Sequence, residues 1–229
     1  MRNAETVLGI IRDRGRHGLP LEGLYRQLYN RELYLMAYAK ISRNDGALTP
    51  GVDGVTADGM TLKVIDTIID HLRQERYQWD AARRVYIEKK GSKQMRPLGI
   101  PTWSDKLLQE VLRLLLEAYY EPRFSDQSHG FRPGRGQHTA LMDVSRTWKG
   151  VRWFIEGDIK GCFDHIDHEV LLSILAERIH DNRFLLLIRQ ALKAGYLEKD
   201  IWRPTESGTP QGGIATPPTI WQTGSSRSR

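Results

Sequence analysis

The spacing of apolar side chains predicts a largely helical chain interrupted by short strands. Thr102 followed by Asp105 matches a helix N-terminal capping pattern and predicts where one helix begins. Apolar positions recur every three or four residues, as in amphipathic helices, over 21–43, 61–76, 104–120, 138–148, 167–180 and 182–194.

A second pattern, with period two, predicts a hairpin. Residues 84–88 alternate polar and apolar side chains, Gly91 begins a turn, and residues 94–100 return as a second strand. Pro97 suits an edge position in that strand because it has no N–H to donate. A short apolar run over 151–158 predicts a further strand that ends on a carboxylate, Asp158.

The segments between these elements read as loops. Residues 45–60 are rich in Gly, Asp and Thr, and their length indicates a functional or a disordered segment. Residues 122–137 form another loop, and the glycines of 208–213 predict a tight one. Residues 214–229 have no acidic side chain and no periodicity, so we expect a disordered tail there.

Composition narrows the class of protein. The 229 residues are 40% apolar and 27% charged, as in soluble globular proteins. The net charge of +6 favours a polyanionic partner, and the basic residues cluster over 83–96, although a solvated basic face would look the same. Cys162 is the only cysteine, which excludes a disulfide framework and a thiolate zinc site. No run resembles a signal peptide or a membrane span, so we expect a cytoplasmic protein.

Asp158 and Phe163 are the first candidates for chemistry. A carboxylate at a strand end is a hard oxygen ligand suited to Mg²⁺, and two-metal phosphoryl transfer needs several such ligands. Phe163, five residues later, could wall a nucleotide pocket where a ribose 2′-OH would sit. The alternative is that Asp158 caps the following turn and Phe163 belongs to the core.

Three further groups of side chains could contact phosphates or bases. Lys89, Lys90 and Arg96 flank the hairpin turn and could bind a triphosphate, grip nucleic-acid backbone, or merely be solvated. Glycines in 208–213 let the backbone approach a ligand, and Gln211 can donate and accept. In the loop 128–135, Phe131 could stack on a base, or it could be buried and anchor the loop. Arg132 and Arg135 in the same loop could pair with phosphates.

The order of these motifs is more specific than any one of them. The chain reads RPLGIPT at 96–102, SHGFRPGR at 128–135, DIKGCFD at 158–164 and GTPQGG at 208–213. Over residues 20–215 this succession resembles the bacterial group II intron-encoded reverse transcriptases, also called maturases. The resemblance implies an α+β, right-hand polymerase fold with an incomplete palm built on an antiparallel sheet. The implied divisions are an N-terminal tail at 1–19, fingers with an N-terminal extension at 20–149, a partial palm at 150–213 and a disordered tail at 214–229.

The resemblance also implies roles and partners. Asp158 matches the first catalytic carboxylate, with the Ile159 carbonyl as a second Mg²⁺ ligand, and Phe163 matches the sugar gate. Family members copy RNA into DNA and help their intron RNA splice, so the implied partners are RNA, primer DNA and deoxynucleoside triphosphates. The 45–60 and 128–135 loops match template-contacting regions, and the nucleotide contacts would come from Lys89 or Lys90, Arg96 and Gln211.

The chain departs from the family after Gly213. The family continues into a hairpin bearing Tyr-Ala-Asp-Asp, whereas here Glu206 is the last acidic residue. We therefore expect a fragment that is inactive alone as a polymerase. The alternatives are an RNA-binding maturase-like module and a non-functional truncated product. An unpaired strand at 151–158 would also invite pairing with a second copy.

Overall fold

A computed structural model describes residues 2–44, 46–88, 91 and 95–209. These residues form helices and short strands in a mixed α+β arrangement, as predicted. The helices are α1 (Ala4–Arg16), α2 (Arg31–Ile41), α3 (Leu62–Arg73), α4 (Trp103–Tyr120), α5 (Gln137–Thr147), α6 (His168–Ala176) and α7 (Asn182–Lys193). The strands are β1 (Leu21–Glu22), β2 (Ala82–Glu88), β3 (Met95–Ile100), β4 (Ile179–His180), β5 (Tyr196–Glu198) and β6 (Ile201–Arg203).

The long helix α4 is the centre of the hydrophobic core. Most of its residues are buried, including the polar Asp105, Glu110 and Arg113, because α1, α2 and α3 pack against it. Gly15 of α1 lies so close to α4 that a Cβ there would come within 2.1 Å of the Tyr119 carbonyl oxygen. Asp181, the N-cap of α7, also accepts from the Tyr25 N–H at 2.8 Å, which ties the C-terminal helices to the N-terminal part.

The larger sheet has the strand order β3-β2-β5-β6. β2 and β3 form the predicted antiparallel hairpin, in which Tyr86 pairs with Pro97. β3 is an edge strand, as the proline indicated, and β2 pairs on its other side with β5 in parallel. A separate two-stranded sheet joins β1 to β4.

Several helices begin and end close to the predicted positions. Thr102 caps α4 by accepting from the Asp105 N–H at 3.4 Å, as the capping pattern predicted. The predictions over 61–76, 138–148 and 182–194 correspond to α3, α5 and α7. The prediction over 167–180 is α6 followed by the short strand β4. No helix in the described ranges is long and apolar enough to cross a membrane.

Two N-terminal predictions need correction. Residues 1–19 were set apart as a tail, but 4–16 are helical and Val7, Leu8 and Ile11 are buried in the core. Their three- and four-residue spacing is that of a helix whose apolar stripe docks on another helix. The single helix expected over 21–43 is wrong. It is β1, a 3₁₀ turn and then α2, which begins after Asn30, whose side chain accepts from the Glu32 N–H.

The strand predicted over 151–158 is also wrong. Among the described residues this stretch pairs with no other strand, and its side chains are exposed, Trp153 by 89% and Ile155 by 99%. An apolar run needs a partner strand to complete its backbone hydrogen bonds. β5 and β6, conversely, were not predicted. The tail expected at 214–229 lies outside the described residues.

Candidate nucleotide-binding site

Four of the predicted site residues line one cavity of about 620 Å³. Arg96 comes from the edge strand β3, whereas Asp158, Ile159 and Phe163 come from the segment between α5 and α6. The hairpin and the 158–164 segment, which are far apart in the chain, therefore meet in space. The remaining lining residues are Met95, Pro97, Gly157, Gly161, Cys162 and Asp164.

The acidic groups of this cavity are suited to a hard cation but do not make a complete metal site. Asp158 is exposed, and within the described ranges its carboxylate has no hydrogen bond or ion pair, so it does not cap the following turn. Asp164 is the second carboxylate of the cavity. No three His, Cys, Asp or Glu side chains cluster as metal ligands in the part of the chain that the structure describes. The oxygen donors fit Mg²⁺ in kind, but two ions would need further ligands.

Phe163 is half-buried and lies in a turn that is held by the beginning of the glycine-rich loop. The Thr209 N–H donates to the Phe163 carbonyl oxygen at 2.8 Å, and the Gly208 N–H donates to the Ile166 carbonyl oxygen at 2.8 Å. Gly208 has φ of +79°, and a Cβ there would lie 2.7 Å from the Phe163 carbonyl oxygen. Phe163 lies outside the hydrophobic core cluster, so the alternative of a core side chain is wrong.

A second cavity, of about 310 Å³, adjoins the first and shares Pro97 and Asp164 with it. Arg84 of β2 lines it, with its guanidinium carbon 3.6 Å from the centre of the Tyr196 ring of β5. Sequence reasoning missed this cavity because Tyr196 reaches β2 through a long-range parallel pairing. The alternation of β2 could have placed Arg84 opposite Val85, on the face that Tyr86 shares.

In the loop 128–135, the aromatic side chain predicted to stack on a base is exposed, whereas one of the two arginines predicted to contact phosphates is buried. Phe131 is 70% exposed and has φ of +55°, so it is not a buried anchor. Arg132 is buried: its guanidinium donates to the Glu121 carboxylate at 2.9 Å and to the carbonyl oxygens of Ser125 at 2.6 Å and Ser128 at 2.8 Å.

The phosphate contact predicted for Arg132 would therefore require its bonds to Glu121, Ser125 and Ser128 to break. Arg135 pairs with Asp126 at 2.7 Å. Asp126 is itself 97% exposed, so this pair lies at the surface, where solvent weakens it. Phe131 and Arg135 thus remain accessible in this loop, whereas Arg132 shapes it.

In the loop predicted over 45–60, the described residues 46–60 are fixed to the start of α4. The Trp103 indole donates to the Ala47 carbonyl oxygen at 2.9 Å, and the Lys106 ammonium to the Thr49 carbonyl oxygen at 2.9 Å. Arg83 of β2 donates to the Pro50 carbonyl oxygen at 2.8 Å. Partial burial lowers the pKa of Lys106, and the charge of Asp53 opposes this shift. Lys89, Lys90 and Gln211 lie outside the described residues.

Residues 87–224 match the reverse transcriptase (RNA-dependent DNA polymerase) family. The chain belongs to that family, and the hairpin, cavity and loop described above lie largely within the matched range.

The similar proteins show which group of reverse transcriptases this chain resembles. The chain is 52% identical over 194 residues to the group II intron-encoded protein LtrA of Lactococcus lactis subsp. cremoris, covering 85% of this chain and 32% of LtrA. It is 48% identical over 195 residues to an uncharacterized 91 kDa protein in the cob intron of Schizosaccharomyces pombe, covering 85% of this chain and 24% of that protein. The resemblance to group II intron reverse transcriptases is confirmed, and the chain spans a third or less of these two relatives.

A solved structure supports the fold. A chain of a partial Cas6-RT-Cas1–Cas2 complex superposes with a TM-score of 0.55 at 19% identity, covering 88% of this chain and 34% of that chain. At this identity the likeness concerns the fold. It agrees with the α+β class predicted from the sequence.

Proposed function

We propose that this chain supplies the fingers and the beginning of the palm of an RNA-directed DNA polymerase. The cavity lined by Arg96, Asp158 and Phe163 would hold the incoming deoxynucleoside triphosphate. The observation that carries the proposal is that the fold brings these three side chains to one cavity from separate motifs. The family membership and the group II intron relatives support the same reading.

Each side chain has a role that its chemistry fits. Arg96 offers a planar fork that suits phosphate oxygens. Phe163 is the side chain that would meet the 2′ position of the sugar. Asp158, with the Ile159 carbonyl, would hold Mg²⁺, which supplies charge neutralisation at the phosphates when bound. Lys89, Lys90 and Gln211 keep the nucleotide contacts that the resemblance implies for them.

Binding of a magnesium–dTTP complex, measured by isothermal titration calorimetry, tests this proposal. Arg96→Ala should weaken binding about 10- to 100-fold, because a charge-assisted hydrogen bond contributes roughly 1.5–3 kcal/mol. Arg146→Ala, an exposed arginine of α5, is the matched control and should bind as the wild type does. Equal affinities for all three proteins would contradict the proposed site.

A second pair of variants tests whether Asp158 binds Mg²⁺. Asp158→Asn keeps the shape of the side chain and removes its charge, so the Mg²⁺ dependence of dTTP binding should weaken. Glu156→Gln, an exposed neighbour, should leave it unchanged. Because two-metal phosphoryl transfer needs more ligands than Asp158 and Asp164, we expect no primer extension by this chain alone. Robust extension that Asp158→Ala abolishes would contradict this expectation.

A second function is supported by the 128–135 loop. Phe131 combines high exposure with a left-handed backbone conformation, which costs an L-residue roughly 1–2 kcal/mol and is typical of functional loops. We propose that it stacks on RNA, so that the chain also works as an RNA-binding module. RNA affinity should fall steeply with salt and should drop in Phe131→Ala. Intron RNA binding no tighter than random RNA would count against intron recognition.

Pairing of a second copy along 151–158 stays a prediction. The exposed apolar side chains of that stretch, including Trp153 and Ile155, are consistent with a covered surface in an assembly. Sedimentation equilibrium over a range of concentrations tests it. A chain that stays monomeric at the highest concentration would rule it out.

A further inference from the structure

His168 connects the glycine-rich loop to the helix that follows the predicted sugar-contacting residue. It is the first residue of α6 and is 4% exposed. Its Nε2 lies 2.7 Å from the Gly208 carbonyl oxygen. A carbonyl oxygen accepts but cannot donate, so Nε2 must carry the proton in this contact.

The contact completes a set of bonds between two short segments. Residues 207–209 already donate two backbone N–H groups to the carbonyls of Phe163 and Ile166. The Ser207 hydroxyl donates to the Asp164 carbonyl oxygen at 3.2 Å. Among these interactions, only that of His168 has its donor on the 163–168 segment. Its acceptor is the carbonyl oxygen of Gly208, whose N–H already donates to Ile166.

α6 gives the imidazole a rigid base. Leu171, Leu172 and Leu175 of this helix are buried in the core, and Asp167 caps its first turn by accepting from the Glu169 N–H at 2.8 Å. His168 therefore connects residues 207–209 to a helix that is packed in the core, in addition to the backbone bonds between 207–209 and 163–166. Groups that read a ligand must be held to within about 0.5 Å, and such supporting contacts provide that precision.

We infer that His168 is a positioning residue that fixes the spacing between Phe163 and residues 207–209, and thereby the discrimination between deoxyribose and ribose. The inference rests on the proposed nucleotide site. His168 itself does not line the nucleotide cavity. It acts through the Gly208 carbonyl, so its loss should change selectivity rather than abolish the site.

Two replacements of similar size separate the hydrogen bond from packing. His168→Leu fills the volume but cannot donate, whereas His168→Gln places an amide donor at similar reach. His71→Leu, an exposed histidine of α3, controls for the added apolar group. For each protein we would measure amide hydrogen exchange at Gly208 and Thr209 by NMR, and the ratio of magnesium–dATP to magnesium–ATP affinity.

In His168→Leu we expect exchange at both amides to accelerate at least 5-fold and the preference for dATP to fall about 5- to 10-fold. His168→Gln should restore most of both, and His71→Leu should match the wild type. Accelerated exchange with an unchanged affinity ratio would overturn the selectivity role and leave His168 as a structural residue. Unchanged exchange would overturn the positioning contact itself. A wild type that binds neither nucleotide would contradict the proposed function, and the exchange data would still decide whether His168 holds the loop.

Discussion

The peptide N–H of Thr209 donates to the carbonyl oxygen of Phe163 at 2.8 Å. The bond ties the beginning of the glycine-rich loop to the turn that carries the predicted sugar contact. Two motifs that are separate in the sequence are therefore one structural unit. A substitution at Gly208 or Thr209 should therefore alter the position of Phe163.

Gly208→Ala tests this unit. Gly208 combines φ of +79° with an approach so close that a Cβ would lie 2.7 Å from the Phe163 carbonyl oxygen. Alanine should lower the free energy of unfolding by roughly 1–3 kcal/mol, because backbone strain and the clash add. Gly157→Ala, where a Cβ would meet nothing within 4 Å, is the control. Urea unfolding compares the three proteins, and equal stability of the two variants would contradict the packing at Gly208.

Arg132 and Phe131 should behave differently although they are adjacent. Arg132→Ala removes bonds to the Glu121 carboxylate and to two carbonyl oxygens, so it should cost roughly 1.5–3 kcal/mol of stability. Phe131→Ala should leave the melting temperature within error and weaken RNA binding. Differential scanning fluorimetry and filter binding measure the two effects. Loss of RNA affinity in Arg132→Ala without loss of stability would show that Arg132 contacts RNA directly.

Asp105 should make stability fall as pH rises. Its carboxylate is 1% exposed and accepts from the Tyr77 hydroxyl at 2.7 Å and the Asp80 N–H at 3.0 Å. Burial raises the pKa of Asp105 to about 7, although these hydrogen bonds oppose the shift.

Since the pKa of Asp105 in the unfolded chain is about 3.9, its favourable contribution is complete below about pH 4 and is lost as pH rises to about 7. The loss is on the order of 4 kcal/mol at most, at 1.36 kcal/mol per pKa unit. Asp105→Asn should flatten this part of the pH–stability curve relative to the wild type. Parallel curves for the two proteins between pH 4 and 7 would contradict the raised pKa.

The ion pairs of this fold should contribute differently to the free energy of unfolding, according to how deeply they are buried. Glu110 is 1% exposed and accepts from Arg113 at 2.7 Å in a two-bond pair. Glu110→Ala removes two of the hydrogen bonds of the Arg113 guanidinium, which keeps Glu117 as its other partner, and should cost roughly 1.5–3 kcal/mol. Asp66→Ala breaks the exposed pair with Arg31 and should not change the melting temperature measurably. Similar losses in both variants would contradict this assignment.

The helices were predictable where the signals are local. The apolar spacing of α3 and the Thr102 cap of α4 lie within a few residues of the elements that they define. Helix α1 was missed because its apolar stripe is short, and its partner surface near Tyr119 is distant in the chain. The strand at 151–158 was wrong because an apolar run becomes a strand only beside a partner. β5 was missed because its pairing with β2 is non-local.

The candidate site was predictable as a set of motifs, and less so as a geometry. Motif order placed Arg96, Asp158 and Phe163 in one polymerase centre, and the fold brings them to one cavity. The burial of Arg132 could not be read from SHGFRPGR, because its partner Glu121 belongs to the preceding turn. His168 carried no motif signal that we recognised, and its role appears only when the contact to Gly208 is seen.

The sugar preference of nucleotide binding tests most directly whether the cavity lined by Arg96, Asp158 and Phe163 is a deoxynucleotide site. Affinities for magnesium–dATP and magnesium–ATP would be measured for the wild type, for Phe163→Ala and for Phe154→Ala, a control that is 72% exposed and does not line the cavity. We predict that the wild type and Phe154→Ala prefer dATP, and that Phe163→Ala binds both nucleotides about equally. A wild type that binds neither nucleotide, or a preference that survives in Phe163→Ala, would contradict it.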